Sequence, residues 1–183
     1  MAGLFIALTL YYRRGRYGYR FRRIPLTQGK YAIVDPEDFE RLNKHKWYVS
    51  KSPNTFYAVR NIRIGPRKRN IRIRMHREVI HPPDHLVVDH INHDGLDNRK
   101  ANLRSATRAQ NNFNRSIIIR KDSSSKYKGV CWHKSEKRWR AQINVNGERK
   151  ILGRFKDEIH AAKAYDEAAK KYHGEFASLN FPD

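Results

Sequence analysis

The sequence predicts an α+β protein built as two small modules, and three observations carry that prediction. A strand, a turn-rich loop, a second strand and a capped helix follow one another between Val87 and Asn114. A clean alternation from Arg138 to Val145 runs straight into Asn146 and Gly147. A chain of 183 residues with 39% hydrophobic content has room for two modest cores rather than one large one.

The first module carries the chemistry. Leu86, Val87 and Val88 lead into Asp89 and His90, and neighbours on a strand point to opposite faces, so the two side chains take different tasks. A carboxylate such as Asp89 is a hard ligand for Mg²⁺ or Mn²⁺, whereas His90 can accept a proton near neutral pH. That division suits metal-assisted phosphodiester cleavage. After a turn-rich span holding Asn92, His93, Asp94, Gly95, Asp97 and Asn98, a second strand from Leu103 to Ala106 is expected. Thr107 and Gln110 form a capping box that opens a helix, with Asn111 just past the first turn. A helix packed back on the hairpin aims Asn111 at the same point as Asp89. Asn102, in the connecting loop, is placed to pin that loop by side-chain to backbone bonds.

The histidines His76, His81, His85, His90 and His93 offer a competing zinc reading. It carries little weight, because structural zinc sites recruit Cys pairs, Cys131 stands alone, and Pro82 and Pro83 keep His81 and His85 off one helical face. His76 and His81 are expected to pack or to touch phosphate.

From His76 to Asn114 these residues resemble the HNH endonuclease family, in the subgroup common among phage and intron-encoded homing endonucleases. The upstream Met75-His76-Arg77 matches the segment ahead of the finger in that subgroup. The resemblance implies a ββα-metal finger in which Asp89 and Asn111 hold one divalent metal, His90 activates water and Asn102 holds the loop. The last motif position is Asn111 rather than His, which favours a hard metal, Mg²⁺ first and Mn²⁺ second, over zinc.

The second module spans Ser125 to Pro182. A short strand from Gly129 to His133 is followed by the alternating one, with Trp139, Ala141, Ile143 and Val145 on one face. The other face carries Arg138, Arg140, Gln142 and Asn144, side chains able to bond guanine and adenine edges in pairs. Asn146-Gly147 is a type I′ hairpin signal, and Arg149 to Phe155 returns as a third strand. A helix from Asp157 to Tyr172 follows, with Ile159, Ala162, Tyr165, Ala169 and Tyr172 as its apolar stripe and Gly174 as its stop. With SKYKGV, WRAQI, ILGRF, AAKAYDEAA and ASLNFP in order, this module resembles the apetala-type (ethylene-response-factor) DNA-binding domain. The resemblance implies a sheet laid in the major groove, with contacts at Lys128, Cys131, His133, Arg140, Gln142, Asn144 and Arg149. Plant members usually carry Arg at positions 128, 131, 133 and 144, Glu at 142 and Trp at 151, so the plant target does not transfer.

Charge agrees with a polyanionic partner: 39 Lys and Arg face 18 Asp and Glu, a formal charge of +21. The flanks are more basic than the stretch around Asp89. Double-stranded DNA is the expected partner, with no membrane and no protein partner implied, for a monomer or weak dimer. Residues 1–23 form a basic aromatic leader. Its apolar opening is shorter than the ~20 residues that span a bilayer and lacks the pattern of a secretory signal, so it reads as a strand or an ill-ordered leader. Its run RRGRYGYRFRR suits phosphate gripping and base stacking. Residues 24–115 form the nuclease domain with an α+β lead-in. The lead-in holds a strand at Tyr31 to Val34, a helix from Asp35 or Pro36 to His45 capped by Asp35, and strands at Phe56 to Ile64 and Asn70 to Met75. The basic tip between the last two offers Arg67, Lys68 and Arg69 to phosphates. Residues 116–124 read as a linker and 125–183 as the second domain. A lone cysteine suits a reducing cytoplasm, of a bacterium or a phage-infected cell.

These features together predict a homing-type DNA endonuclease that nicks one strand per active site. The alternative is a DNA-binding regulator whose finger is inactive, and a third reading is RNA binding through the basic arm.

Overall fold

The computed structural model describes residues 2–65, 69–116 and 123–182. Contacts divide the chain into two compact units, Met1–Ala106 and Thr107–Asp183, each with its own core.

The first unit opens with helix α1 (Ala2–Tyr17), where the sequence suggested a strand or an ill-ordered leader. Ala and Leu are strong helix formers, and Ile6, Thr9, Leu10 and Arg13 recur at helical spacing as its half-buried face. Arg13 fastens that face by donating to the Phe21 carbonyl at 2.6 Å, its guanidinium over the Phe21 ring. Strand β1 (Arg22–Pro25) pairs antiparallel with β2 (Tyr31–Val34), and α2 (Pro36–Asn43) follows. Asp35 precedes α2 without capping it through its side chain; its Oδ2 instead accepts from the Lys100 amide at 2.7 Å. That partner lies far beyond any local pattern.

A three-stranded antiparallel sheet comes next: β3 (Tyr48–Lys51), β4 (Phe56–Ile64) and β5 (Arg69–Arg74), with β4 in the middle. A short helix α3 (Met75–Ile80) leads to the hairpin of β6 (Val87–His90) and β7 (Leu103–Ala106). Val88 and Leu103 from the hairpin share one core with Ile24, Val34, Leu42, Trp47 and Met75. Burial of such side chains stabilises by about 1.5–3 kcal/mol each. The lead-in is therefore the support on which the hairpin rests.

The second unit contains α4 (Arg108–Phe113), β8 (Val130–His133), β9 (Arg138–Val145), β10 (Glu148–Phe155) and α5 (Glu158–His173). The sheet runs β10-β9-β8, antiparallel throughout. Asn146 and Gly147 both take positive φ (52° and 85°), as a type I′ turn requires. Ala141 and Ile143 from β9 pack on α5, whose buried stripe is Ala161, Ala162, Tyr165, Ala168 and Ala169. The stripe expected from sequence was rotated at its ends, since Ile159 and Tyr172 are exposed. Gly129 lets Tyr165 in: a Cβ there would strike the Tyr165 ring and the Gln142 carbonyl, and its φ of +74° also favours glycine. Buried Asp166 of α5 accepts from the Asn180 and Phe181 amides at 2.8 and 2.9 Å, latching the last segment against the helix.

Candidate active site and nucleic-acid interface

Asp89 and His90 end β6, and both are buried, at 4% and 6% exposure. Asp89 faces Arg104 in the β6–β7 register, and Arg104 Nε donates to Asp89 Oδ2 at 2.8 Å. The His90 ring lies 5.1 Å from the ring of His76 and 5.8 Å from that of Tyr57, while Tyr57 and His76 meet edge to face at 5.5 Å. Burial pushes His90 below its ordinary value, against a hydrogen bond that the ring donates to the Asn98 side chain and the charges of Asp89, Asp94 and Asp97. The imidazole is therefore neutral at neutral pH and can accept a proton. Burial first, then His90, Arg74 and Arg77, push His76 down to about 2.

The loop between β6 and β7 is tied by Asn102. Its Oδ1 accepts from the Asn92 amide at 3.0 Å and its Nδ2 donates to the Asp97 carbonyl at 2.8 Å. Asp97, also buried, receives Nε and a terminal nitrogen of Arg99 at 2.8 and 2.6 Å, and that guanidinium lies 3.4 Å from the centre of the Tyr19 ring. Sequence reasoning missed Tyr57, Asn98 and Arg104 as neighbours of the Asp89-His90 pair. Tyr57 and Arg104 lie on other strands, and only the turn-rich composition around Asn98 hinted at its role. Asn111 belongs to α4 in the second unit and is half-buried there. Thr107 and Gln110 form the capping box that opens that helix.

Among the described residues one group of acidic side chains, Asp35, Glu37 and Asp38, brings its oxygens within 4.8 Å of one another. Lys100 Nζ lies 3.1 Å from Asp38 and 3.4 Å from Glu37, and Arg41 lies 2.7 Å from Asp38, so cations of the chain already answer those charges. Taken singly, Asp89 offers carboxylate oxygens and Asn111 an amide oxygen, donor types that suit a hard cation.

On the outer face of the second sheet, Arg140 and Gln142 are half-buried. Arg140 Nε and Gln142 Oε1 have no hydrogen-bond partner among the described residues. His133 lies 3.6 Å from Glu136, Arg138 donates to the Lys137 carbonyl, and Asn144 and Arg149 are exposed and paired in register. The ammonium of Lys128, an expected groove contact, donates to the Phe113 and Arg115 carbonyls, at 2.5 and 2.7 Å. Burial, with Arg115 nearby, pushes Lys128 down to about 8. In the first unit Arg69 is exposed at the start of β5, while Arg67 and Lys68 lie outside the described residues. No helix among the described residues is long and apolar enough to cross a membrane.

The HNH endonuclease profile matches residues 81–113, and an uncharacterized HNH endonuclease of Acanthamoeba polyphaga mimivirus is 33% identical over 159 residues, covering 84% of this chain and 76% of the viral protein. The chain belongs to the HNH endonuclease family. This HNH protein also carries an AP2 domain, whose profile matches residues 125–175. An AP2/ERF and B3 domain-containing protein of Oryza sativa subsp. japonica is 51% identical over 59 residues, 32% of this chain and 16% of the rice protein. An AP2/ERF and B3 domain-containing transcription factor of Arabidopsis thaliana is 45% identical over 64 residues, 35% of this chain and 18% of its own length. The HNH protein thus spans less than a fifth of either plant relative, and the likeness is to one domain of each. Nuclease and DNA-binding modules stand in one chain.

Proposed function

We propose that the protein is a site-specific DNA endonuclease of homing type that hydrolyses one phosphodiester per active site. The carrying observation is the buried pair at the end of β6, with Asp89 hydrogen-bonded to Arg104 and His90 beside the rings of Tyr57 and His76. In this reading β6, β7 and α4 make up a ββα-metal finger. His90 takes a proton from the attacking water, and Asn102 keeps the loop that presents it in one shape. Asp89 and Asn111 stand at the motif's metal positions, for Mg²⁺ or Mn²⁺. A hard cation there would neutralise charge gathering on the phosphate and the leaving oxygen. Arg138, Arg140, Gln142, Asn144, Arg149 and His133 form the reading face, and the sheet selects where the cut falls. On the β4–β5 ribbon Arg63, Arg69, Arg72 and Arg74 make no ion pair among the described residues, whereas Arg41, Arg60, Arg77, Arg99 and Arg104 do. Unanswered guanidiniums of that kind suit a phosphate backbone, and the sequence adds Arg67 and Lys68 as further cations for it.

Supercoiled plasmid carrying the target tests the reading. Asp89→Ala and His90→Ala should bind DNA as the parent does while nicking falls by about 10²–10⁴-fold. Parent-rate nicking by His90→Ala would remove the base. One contact favours the second reading, a regulator with an inactive finger: Arg104 already supplies a cation to Asp89. That protein would bind DNA equally with Mg²⁺ or with chelator and would leave the plasmid uncut.

A further inference from the structure

Helix α4 is six residues long, and none of them is buried. A helix this short is unstable by itself, so contacts at its end must hold it. Those contacts come from the AP2 module. The Phe113 ring stacks on the His173 ring with centroids 3.8 Å apart and planes 5° from parallel. The His173 ring is itself fixed, because its Nε2 lies 2.9 Å from the Asn144 carbonyl and must be the protonated nitrogen. Lys128 donates to the Phe113 and Arg115 carbonyls, two acceptors that the ending helix leaves open. The backbone of Lys128 is held in turn by Asn180, which receives its N–H at 2.6 Å and donates to its carbonyl at 3.1 Å. Asn114, the C-cap, is buried at 5% exposure.

We propose that Lys128, Phe113 and His173 form a clasp by which the AP2 module positions α4, and with it Asn111, so that the module serves the nuclease centre as well as binding DNA. The proposal rests on the reading of Asn111 as a metal residue. Phe113, Lys128 and His173 are positioning residues, since they act through the helix and touch no substrate.

The test uses the full chain. Phe113→Ala and Lys128→Met should speed amide exchange across residues 108–115 by roughly tenfold or more, with the 138–155 strands unchanged. Phe113→Ala should also raise the Mg²⁺ needed for half-maximal nicking and lower kcat, with the Kd for target duplex unchanged. Phe113→Tyr and Lys128→Arg, which keep the stack and the donors, should restore both. Unaltered exchange at 108–115 overturns the clasp, and raised exchange with parent metal dependence overturns its positioning role. Loss of duplex affinity in Lys128→Met without any change in exchange would return Lys128 to the DNA face and also overturn the clasp. Asn111→Ala separates the two failures: normal cleavage by that variant removes the metal reading, while the exchange experiment still judges the clasp.

Discussion

Arg104 stands directly across the hairpin from Asp89 and donates to it at 2.8 Å, with 14% and 5% of their side chains exposed. Removing the Arg104 guanidinium from so buried a pair takes away the countercharge set against Asp89, a cost of about 3 kcal/mol. Arg104→Met should therefore lower the unfolding midpoint markedly in chelator. If a metal sits at Asp89, Mg²⁺ should stabilise Arg104→Met more than the parent, because the ion takes over the lost countercharge. Equal thermal shifts in the two proteins would show that no cation reaches this carboxylate.

His76 gives the nuclease unit a pH dependence. The unfolded chain takes up a proton at this imidazole below about 6.5, whereas the folded ring, facing His90, Tyr57, Arg74 and Arg77, stays neutral until about 2. Unfolding binds a proton throughout that window, so stability is complete above 6.5 and falls as pH drops. At pH 5 the loss from this one group is about 2 kcal/mol. Denaturation midpoints measured from pH 7 to pH 5 without metal should show it, and His76→Phe should flatten the slope. A parent protein as stable at pH 5 as at pH 7 would mean that His76 charges freely in the fold.

The reading face should separate specificity from attraction. Arg140→Ala, which deletes a guanidinium whose Nε has no hydrogen-bond partner among the described residues, should cost about 1–3 kcal/mol on the preferred target and relax the sequence choice at one position. Arg72→Ala on the β4–β5 ribbon should instead weaken all duplexes alike and reduce the salt slope by about one. Binding titrations against salt, on selected and scrambled duplexes, distinguish the two. Equal loss on both duplexes for Arg140→Ala would make it a phosphate contact.

Much of this was readable from local sequence because the signals are local. The β9 alternation, the Asn146-Gly147 turn and the Thr107 to Gln110 capping box each need only a few neighbouring residues, and each stands as read. Distant partners stayed hidden: Asp35 looked like a helix cap and serves the Lys100 amide, and the bond from the Lys128 ammonium to the Phe113 carbonyl spans too much sequence for a local pattern. The α1 segment misled because an apolar run of a dozen residues suits strand and helix alike until its half-buried face is known. At the candidate centre Asp89, His90 and Asn102 were legible as a motif, while Tyr57 and Arg104 gain meaning only from strand pairings that no local pattern announces.

Asn102 has a consequence for descent. One amide holds both limbs of its loop, accepting from Asn92 and donating to Asp97. Aspartate of the same shape loses the donor, and leucine of the same bulk loses both functions. Among the twenty side chains no other offers donor and acceptor at that reach, so relatives that still cut should have no freedom to drift at this position, whereas the neighbouring exposed Ser105 can vary at will.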